Sequence, residues 1–489
     1  MPKNDFPLTH LTWRHYLAVA VLAFTAYAPT LKVGFLWDDH VIIEHNPWIR
    51  QWSRANLRHD FFSDNTQGQG DDYYRPLQAV SHRVDYSLWG LNPVGYHLTD
   101  LLFHVVAGLL LVQFVLALGF PPMTALLTGC LFVVHPGGIE QFLTASGRTT
   151  PLSYALTLLC LLAALQEESL KMFVAALACF AGALWTKEIA IITPALVVLV
   201  YLYKEMPLRR YFLLIPMVFL SIIYLGMRHR VVHLQGAFPL SLIVLFAVKV
   251  FPRILWHYVQ LILWPWNLHS HHLLPHLSHA WPLYDLGWIG LVVFFLWRKN
   301  KTGLFCVAWL LLNILPTTVA MIPGGFMLDH WSYQANLAVL LPLAIFFTHQ
   351  WDHHHERIHG LLALLFFPLI IFWALLVHLN VELRGTDEKL FRWALHFTTS
   401  APITSNLGII LLQSNRPFEA LAYLEEVHNR YPEDINNGKA LAYAYAALGQ
   451  RKRGYAVLQD LARRNPLYIL PPVAPDQPPP LNLQTGIHG

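Results

Sequence analysis

The stretch YLAVAVLAFTAYAPTLKVGFLWDDH, residues 16–40, joins a long apolar run to two adjacent carboxylates, Asp38 and Asp39. An α-helix needs about 20 mostly apolar residues to cross a bilayer. The run before Lys32 therefore predicts a first membrane span, and the acids follow near its end. Ionisable groups at a membrane surface are costly to bury and are usually retained for function. The two acids thus become the first candidates for a functional site.

Composition extends this interpretation to the whole chain. The 489 residues are 55% hydrophobic and only 13% charged, whereas soluble domains carry roughly 25% charge. Ten further apolar runs predict an all-α, polytopic bundle of about 11–13 spans. The candidate spans lie near residues 15–31, 97–118, 123–134, 151–165, 172–186, 189–203, 211–227, 284–297, 303–320, 337–348 and 360–379. Residues 240–266 are long enough to cross once, cross twice as a broken pair, or lie partly in the interface, so the path of 228–283 stays open.

Charge distribution sets the predicted orientation. Short links at 204–210, 297–301 and 353–359 are rich in basic residues, which favours the cytoplasmic side. The N-terminus is then cytoplasmic, and the large first loop, 32–96, is on the outer side. Net charge is +4, and no basic run with interleaved aromatics predicts a nucleic-acid partner. The four cysteines lack metal-ligand spacing, so no zinc site is predicted.

The C-terminal part has a different character. Residues 381–466 carry ordinary charge with apolar residues at helical spacing, and Pro432 and Pro466 stand 34 positions apart, the period of a tetratricopeptide repeat, or TPR. Aligning the repeats places Asn415 on Gly449. We expect a membrane domain over 1–380, a TPR-like helical module over 381–466 on the outer side, and a Pro-rich disordered end over 467–489.

Five stretches, taken in this order, carry a family resemblance. They are FLWDDHVIIEHNPWI, YYRPLQAVSHRVDYSLWGLNPVGYHLTDLLFHVVAGLLL, VVHPGGIEQFLTASGRTTPL, LWTKEIAIITPAL and the repeats of the tail. Together they resemble the transmembrane-and-TPR O-mannosyltransferase-like proteins and their bacterial relatives, within the GT-C class of membrane glycosyltransferases. One departure is His330-Trp331-Ser332-Tyr333, where related enzymes often have an arginine.

The resemblance implies a function and a location. The chain is expected to take a sugar from a polyprenyl-phosphate carrier and pass it to an acceptor hydroxyl, of protein serine or threonine, with inversion. It is expected in a bacterial inner membrane among membrane lipids, with the TPR tail periplasmic and contacting an acceptor protein or glycan. No cofactor is required, and a divalent metal is a minor alternative that Asp38, Asp39 and His40 could ligate by residue type. An envelope-glycan or O-antigen-type transferase and a non-catalytic anchor presenting the repeats remain alternative functions.

The predicted site combines one base with a cationic cradle for the leaving phosphate. The resemblance makes Asp38 and Asp39 the catalytic acids, with Asp38 favoured as general base. Side chains of five outer residues are candidates to bind the donor phosphate: Arg75, His135, Arg148, Lys187 and His330. Four others are candidates to orient those cations or to bind the sugar: Glu140, Glu188, Tyr74 and Tyr333.

Overall fold

The computed structural model describes residues 10–64, 73–166, 168–232, 239–274, 281–353 and 356–465. The backbone is almost entirely helical, as the sequence predicts. Its α-helices, in chain order, are α1 (Trp13–Tyr27), α2 (Arg54–Phe62), α3 (Pro76–Trp89), α4 (Pro93–Leu118), α5 (Pro122–Val134), α6 (Glu140–Leu143), α7 (Thr149–Leu165), α8 (Leu170–Thr186), α9 (Thr193–Tyr203), α10 (Leu214–Val231), α11 (Leu240–Lys249), α12 (Phe251–Leu263), α13 (Trp281–Trp297), α14 (Lys301–Ile314), α15 (Thr318–Gly324), α16 (Leu337–His353), α17 (Glu356–Arg384), α18 (Asp387–Leu395), α19 (Ala401–Gln413), α20 (Pro417–Arg430), α21 (Ile435–Ala447) and α22 (Arg451–Arg464).

Short turns of tighter or wider helix connect these elements on the predicted outer side. The 3₁₀ segments Pro136–Gly138, Ala145–Arg148, Glu188–Ile192 and Asp329–Ser332 lie there, and His40–Glu44 forms a π-helical turn. Strand β1, His272–Leu273, pairs antiparallel with β2, Phe326–Met327. This pairing joins the loop after α12 to the loop before α16.

Five helical stretches in the described chain are long and apolar enough to cross a membrane: Pro93–Leu118, Ala145–Leu165, Leu208–Val231, Lys301–Ile322 and Ala363–Arg384. The pair α11 and α12 is bent by 43° and would be a sixth. The chain is thus a multi-pass membrane protein, but fewer segments pass the length criterion than the 11–13 predicted. The other predicted spans are apolar helices of 10–17 residues, or correspond to α1, which has 15 residues.

The tail after α17 forms a series of antiparallel helices. α19 packs on α20 and α21 packs on α22, and Asn415 and Gly449, which the repeat alignment superimposes, both adopt left-handed backbone with φ of 56° and 78°. Such residues end helices because the left-handed conformation satisfies the last carbonyl groups. The TPR assignment and the domain boundaries stay predictions. Pro466 and the Pro-rich end 467–489 lie outside the described residues.

Candidate active site

The turn that carries the two acids is anchored by Asp39. Its carboxylate is fully buried and accepts hydrogen bonds from the backbone N–H groups of Leu36 at 3.1 Å, Ala145 at 2.9 Å and Ser146 at 2.7 Å. Burial raises the pKa of Asp39, against the opposite effect of these donors. Both carboxylate oxygens are therefore used to fasten the first outer loop to the loop before α7.

Asp38 occupies a different environment from its neighbour. Its side chain is partly exposed, and its backbone carbonyl accepts from the N–H groups of Val41 and Ile42 at 3.1 Å and 2.9 Å. The preceding residue, Trp37, has φ of +51°, which is rare for a bulky residue and is maintained only where the surroundings enforce it. The turn thus gives the two adjacent acids unequal access to an acceptor.

Arg148 lies in a buried ion-pair network. Its guanidinium contacts Asp85 at 2.5 Å and Asp100 at 2.8 Å, and it also donates to the carbonyl of Tyr96 at 3.2 Å. None of the three charged side chains is more than 2% exposed. With its donors engaged by α3 and α4, Arg148 holds the bundle together instead of facing a ligand.

Three other predicted site residues are also occupied by hydrogen bonds within the protein. One ring nitrogen of His135 bonds the carbonyl of Ile262 at 2.8 Å and the other accepts a backbone N–H. The hydroxyl of Tyr333 bonds Nδ1 of His104 at 2.7 Å, and that of Tyr74 donates to a backbone carbonyl at 3.1 Å. All three side chains are at most 2% exposed, so they lie in the interior of the bundle.

Glu140 and His330 form a pair between α6 and the loop before α16. Nδ1 of His330 lies 3.4 Å from Oε2 of Glu140. Burial alone would raise the pKa of Glu140, but the contact with His330 and the nearby charge of Arg384 lower it to about 2. Glu140 is therefore a carboxylate at neutral pH.

Lys187 lies within electrostatic range of that carboxylate and of the pair of Arg75 with Glu188. Nζ of Lys187 donates to Oγ1 of Thr150 at 2.5 Å, and burial, followed by the nearby charge of Arg75, lowers its pKa to about 7. Arg75 binds Glu188 through two hydrogen bonds of 2.9 Å and 2.6 Å. Because Lys187 interacts electrostatically with both Arg75 and Glu140, these residues form one cluster.

The sequence interpretation missed Arg384, at the end of α17. Its side chain is 0% exposed, and none of its three guanidinium nitrogens has a hydrogen-bond partner within the described chain. The charges of Asp329 and Glu140 act on it. The available signal was a single arginine ending the last long apolar run, VELRG, residues 381–385.

A histidine-rich segment completes the surroundings of Arg384. Nε2 of His272 lies 2.5 Å from Oδ1 of Asp329. The ring of His269 lies 3.8 Å from that of His272, centroid to centroid, and the ring of His257 lies 5.0 Å from it. Among the described residues, no group of three or more His, Cys, Asp or Glu side chains has the arrangement of a metal site.

The Trp37 turn meets this cluster through aromatic contact. The rings of Trp37 and His271 lie 5.6 Å apart, and His271, like Trp37, has a positive φ, of 67°. His271 in turn acts electrostatically on Glu140. Thus five segments meet in one region: the first outer loop, the loop after α5, the Lys187 turn, the β1–β2 pair and the end of α17.

Comparison with characterised proteins adds a family relationship. The chain is 33% identical over 150 residues to the protein O-mannosyl-transferase Tmtc1 of Drosophila melanogaster. The aligned segment covers 30% of this chain and 18% of that protein. It is 34% identical over 136 residues to Drosophila Tmtc2, covering 26% and 14%, and 30% identical over 159 residues to TMTC2 of Mus musculus, covering 29% and 18%. The resemblance to this family is confirmed over that segment.

The relationship is partial in extent. The matched segment spans less than a fifth of each of these relatives, and no family model matches the chain. Among solved structures, ArnT from Cupriavidus metallidurans aligns with 92% of this chain and 79% of its own at 15% identity and a TM-score of 0.39. The Archaeoglobus fulgidus oligosaccharyltransferase aligns with 74% and 55%, at 12% identity and a TM-score of 0.40. These scores mark the overall structural likeness as weak.

Proposed function

We propose that this chain is a membrane glycosyltransferase that transfers a sugar from a polyprenyl-phosphate carrier to a protein serine or threonine hydroxyl. The observation that carries the proposal is the buried guanidinium of Arg384, which has no hydrogen-bond partner within the described chain. A buried guanidinium whose nitrogens lack hydrogen-bond acceptors is costly, so a protein retains one where a ligand supplies the acceptors. The partial match to protein O-mannosyl-transferases supports a sugar donor as that ligand.

The neighbouring acids already have other partners, which supports an anionic ligand for Arg384. Glu140 contacts His330, and Asp329 contacts His272. A guanidinium presents a planar fork that matches two oxygens of a phosphate. In our proposal Arg384 holds the donor phosphate with Lys187, whose ammonium acts as a point charge, and Arg384 replaces the arginine that related enzymes have near position 330.

Asp38 is the proposed general base. Asp39 uses both oxygens to accept three backbone N–H groups, whereas Asp38 is partly exposed on the same turn. The acceptor oxygen attacks the anomeric carbon while its proton passes to the carboxylate of Asp38. The bond from that carbon to the phosphate oxygen breaks, and its electron pair leaves with the phosphate. A single displacement inverts configuration, so a β-linked carrier sugar gives an α-linked product.

The remaining predicted residues take supporting roles in this proposal. Arg75 and Glu188, which bind each other, support Lys187 electrostatically. Arg148, His135, Tyr74 and Tyr333 maintain the bundle beneath it. The cluster faces the side that the basic links predict to be periplasmic, with the N-terminus in the cytoplasm of a bacterial cell.

Transfer with purified protein in lipid nanodiscs tests the function. Wild type, Asp38→Asn, Arg384→Met and the control Glu205→Gln are incubated with radiolabelled polyprenyl-phosphate sugars and envelope proteins. Glu205 pairs with Lys301 on the predicted cytoplasmic side, so its amide variant changes one carboxylate away from the cluster. We expect label in protein with wild type and Glu205→Gln only.

Other outcomes discriminate between the alternatives. Equal labelling by Asp38→Asn would remove that residue as the base. Label that enters only a lipid-linked glycan would replace a protein acceptor with an envelope-glycan transferase. A folded wild type that binds no polyprenyl phosphate and labels nothing would overturn the enzyme proposal in favour of an anchor.

A further inference from the structure

A short link, Arg384-Gly385-Thr386-Asp387, connects the last long span to the tail. It passes close to α17, because a Cβ on Gly385 would lie 2.6 Å from the carbonyl oxygen of Val381. The hydroxyl of Thr386 then accepts from the N–H of Lys389 at 3.3 Å and caps α18. The link therefore has a defined path, and it fixes where the first helix of the tail begins.

Both carboxylate oxygens of Asp387 contact residues of the first outer loop. Oδ1 accepts from the backbone N–H of Trp37 at 2.8 Å, and Oδ2 lies 3.0 Å from Nε2 of His40. The other ring nitrogen of His40 lies 2.6 Å from Glu44. Asp387 thus bridges the two sides of Asp38, through residue 37 before it and residue 40 after it.

The rest of α18 and the residues that follow it pack on the same region. Phe391 contacts the ring of Trp37 edge to face, with centroids 5.7 Å apart. Indole Nε1 of Trp393 donates to the carbonyl of Leu268 at 2.9 Å, and Phe397 stacks on His269 at 4.6 Å. The tail is therefore bound both to the turn that carries the acids and to the histidine-rich segment beside Arg384.

We propose that Asp387 is a positioning residue for the transfer reaction, which holds the Trp37–His40 turn so that Asp38 faces the acceptor. This inference rests on the proposed function. It makes α18 a structural part of the active site, in addition to any contact that the tail makes with an acceptor.

The conformation of the turn explains why a carboxylate is needed. Trp37 has a positive φ, which requires support from its surroundings, and Asp387 supplies an anionic acceptor for its N–H. Burial opposes protonation of His40, but the hydrogen bond and charge of Asp387, together with Glu44, raise the pKa of His40 to about 9. His40 is then a cation at neutral pH and binds Asp387 as an ion pair.

Three substitutions at Asp387 separate positioning from folding. Asp387→Asn keeps the shape and one acceptor oxygen but loses the charge, Asp387→Ala removes both contacts, and Asp387→Glu keeps the charge on a longer stem. The matched control is Asp434→Asn, because Asp434 also stands at the start of a tail helix, where it accepts from the N–H of Asn437 at 3.0 Å. Each variant is assayed in nanodiscs for donor binding, transfer rate and the imidazole pKa of His40 by hydrogen–deuterium exchange at the ring carbon.

We expect Asp387→Asn and Asp387→Ala to lower kcat roughly ten- to hundredfold, as displaced catalytic groups do, with donor affinity unchanged within about twofold. The pKa of His40 should fall in both, Asp387→Glu should recover part of the rate, and Asp434→Asn should match wild type. An unchanged His40 pKa in Asp387→Asn, or an unchanged kcat in Asp387→Ala, would overturn the inference. The His40 measurement needs no catalysis, so it tests the contact even if the wild type transfers no sugar, an outcome that would overturn the proposed function and with it the positioning role.

Discussion

Replacing Arg384 with methionine should weaken binding of the donor phosphate without destabilising the protein. The guanidinium is 0% exposed and lacks a hydrogen-bond partner in the described chain. Its removal breaks no hydrogen bond within the described chain and removes the cost of burying that charge, but it also takes away a cation that helps to keep Glu140 ionised. Because these effects oppose each other, we expect the apparent Tm of the ligand-free protein to change little.

The expected loss of affinity follows from the contacts that a phosphate would make. A hydrogen bond to a charged group contributes about 1.5–3 kcal/mol, so two from one guanidinium contribute about 3–6 kcal/mol. That corresponds to about a 100- to 10,000-fold weaker Kd for polyprenyl phosphate. The Kd of Arg384→Lys should lie between those of wild type and Arg384→Met, because an ammonium keeps the charge but loses the bidentate geometry.

Arg148→Met is the matched control, since it removes another fully buried arginine, one whose acidic partners are known. It leaves Asp85 and Asp100 buried without their cation, a change that destabilises proteins by about 3–5 kcal/mol. Thermal unfolding in nanodiscs and titration with polyprenyl phosphate, each with both variants, give the comparison. If Arg384→Met lowers the Tm as much as Arg148→Met and leaves the phosphate Kd unchanged, Arg384 is structural and our reasoning is wrong.

Four further substitutions test other parts of the protein. Asp38→Asn should abolish transfer with little change in Tm. Asp39→Asn should lower the Tm, because it weakens the hydrogen bonds that the carboxylate of Asp39 accepts from three N–H groups. Transfer assays and thermal unfolding of both variants would distinguish these two effects. Donor affinity, measured as Kd between pH 6 and 9, should fall as pH rises through about 7 and above because Lys187 loses its proton there, and Lys187→Gln should flatten the profile. Gly147→Ala should cost about 1–3 kcal/mol in unfolding experiments, because the new Cβ would overlap the backbone of Gln141.

The sequence predicted which segments lie on the same side of the bundle, and that this side is the outer one stays a prediction. Basic links and the ends of apolar runs were enough, because the positive-inside rule and span length act locally along the chain. These cues placed Glu140, Lys187 and His330 on the same predicted side. Helix lengths were not predictable in this way, since several of the apolar runs form helices of only 10–17 residues.

The division of labour between adjacent residues could not be predicted in the same way. The sequence pattern does not distinguish Asp38 from Asp39. Their surroundings differ because Trp37 has a positive φ and because the N–H of Ala145 donates to Asp39. Arg148 looked like a phosphate ligand because its buried acids come from two helices distant in sequence. Non-local partners of this kind decide whether a charged residue is structural or available to a ligand.

The link between α17 and α18 joins a proposed phosphate ligand to a proposed positioning residue. Arg384 and Asp387 are three positions apart, yet one is proposed to hold the leaving phosphate and the other fixes the turn beside the base. A displacement of α18 would therefore disturb donor and acceptor geometry together, since Gly385 lies against the Val381 carbonyl and leaves the link little room to adjust. Such a shared support predicts that substitutions which detach α18, such as Trp393→Ala, lower both donor affinity and kcat, whereas Asp387→Asn lowers kcat alone. Equal effects of the two variants on donor affinity would show that the link does not separate the two roles.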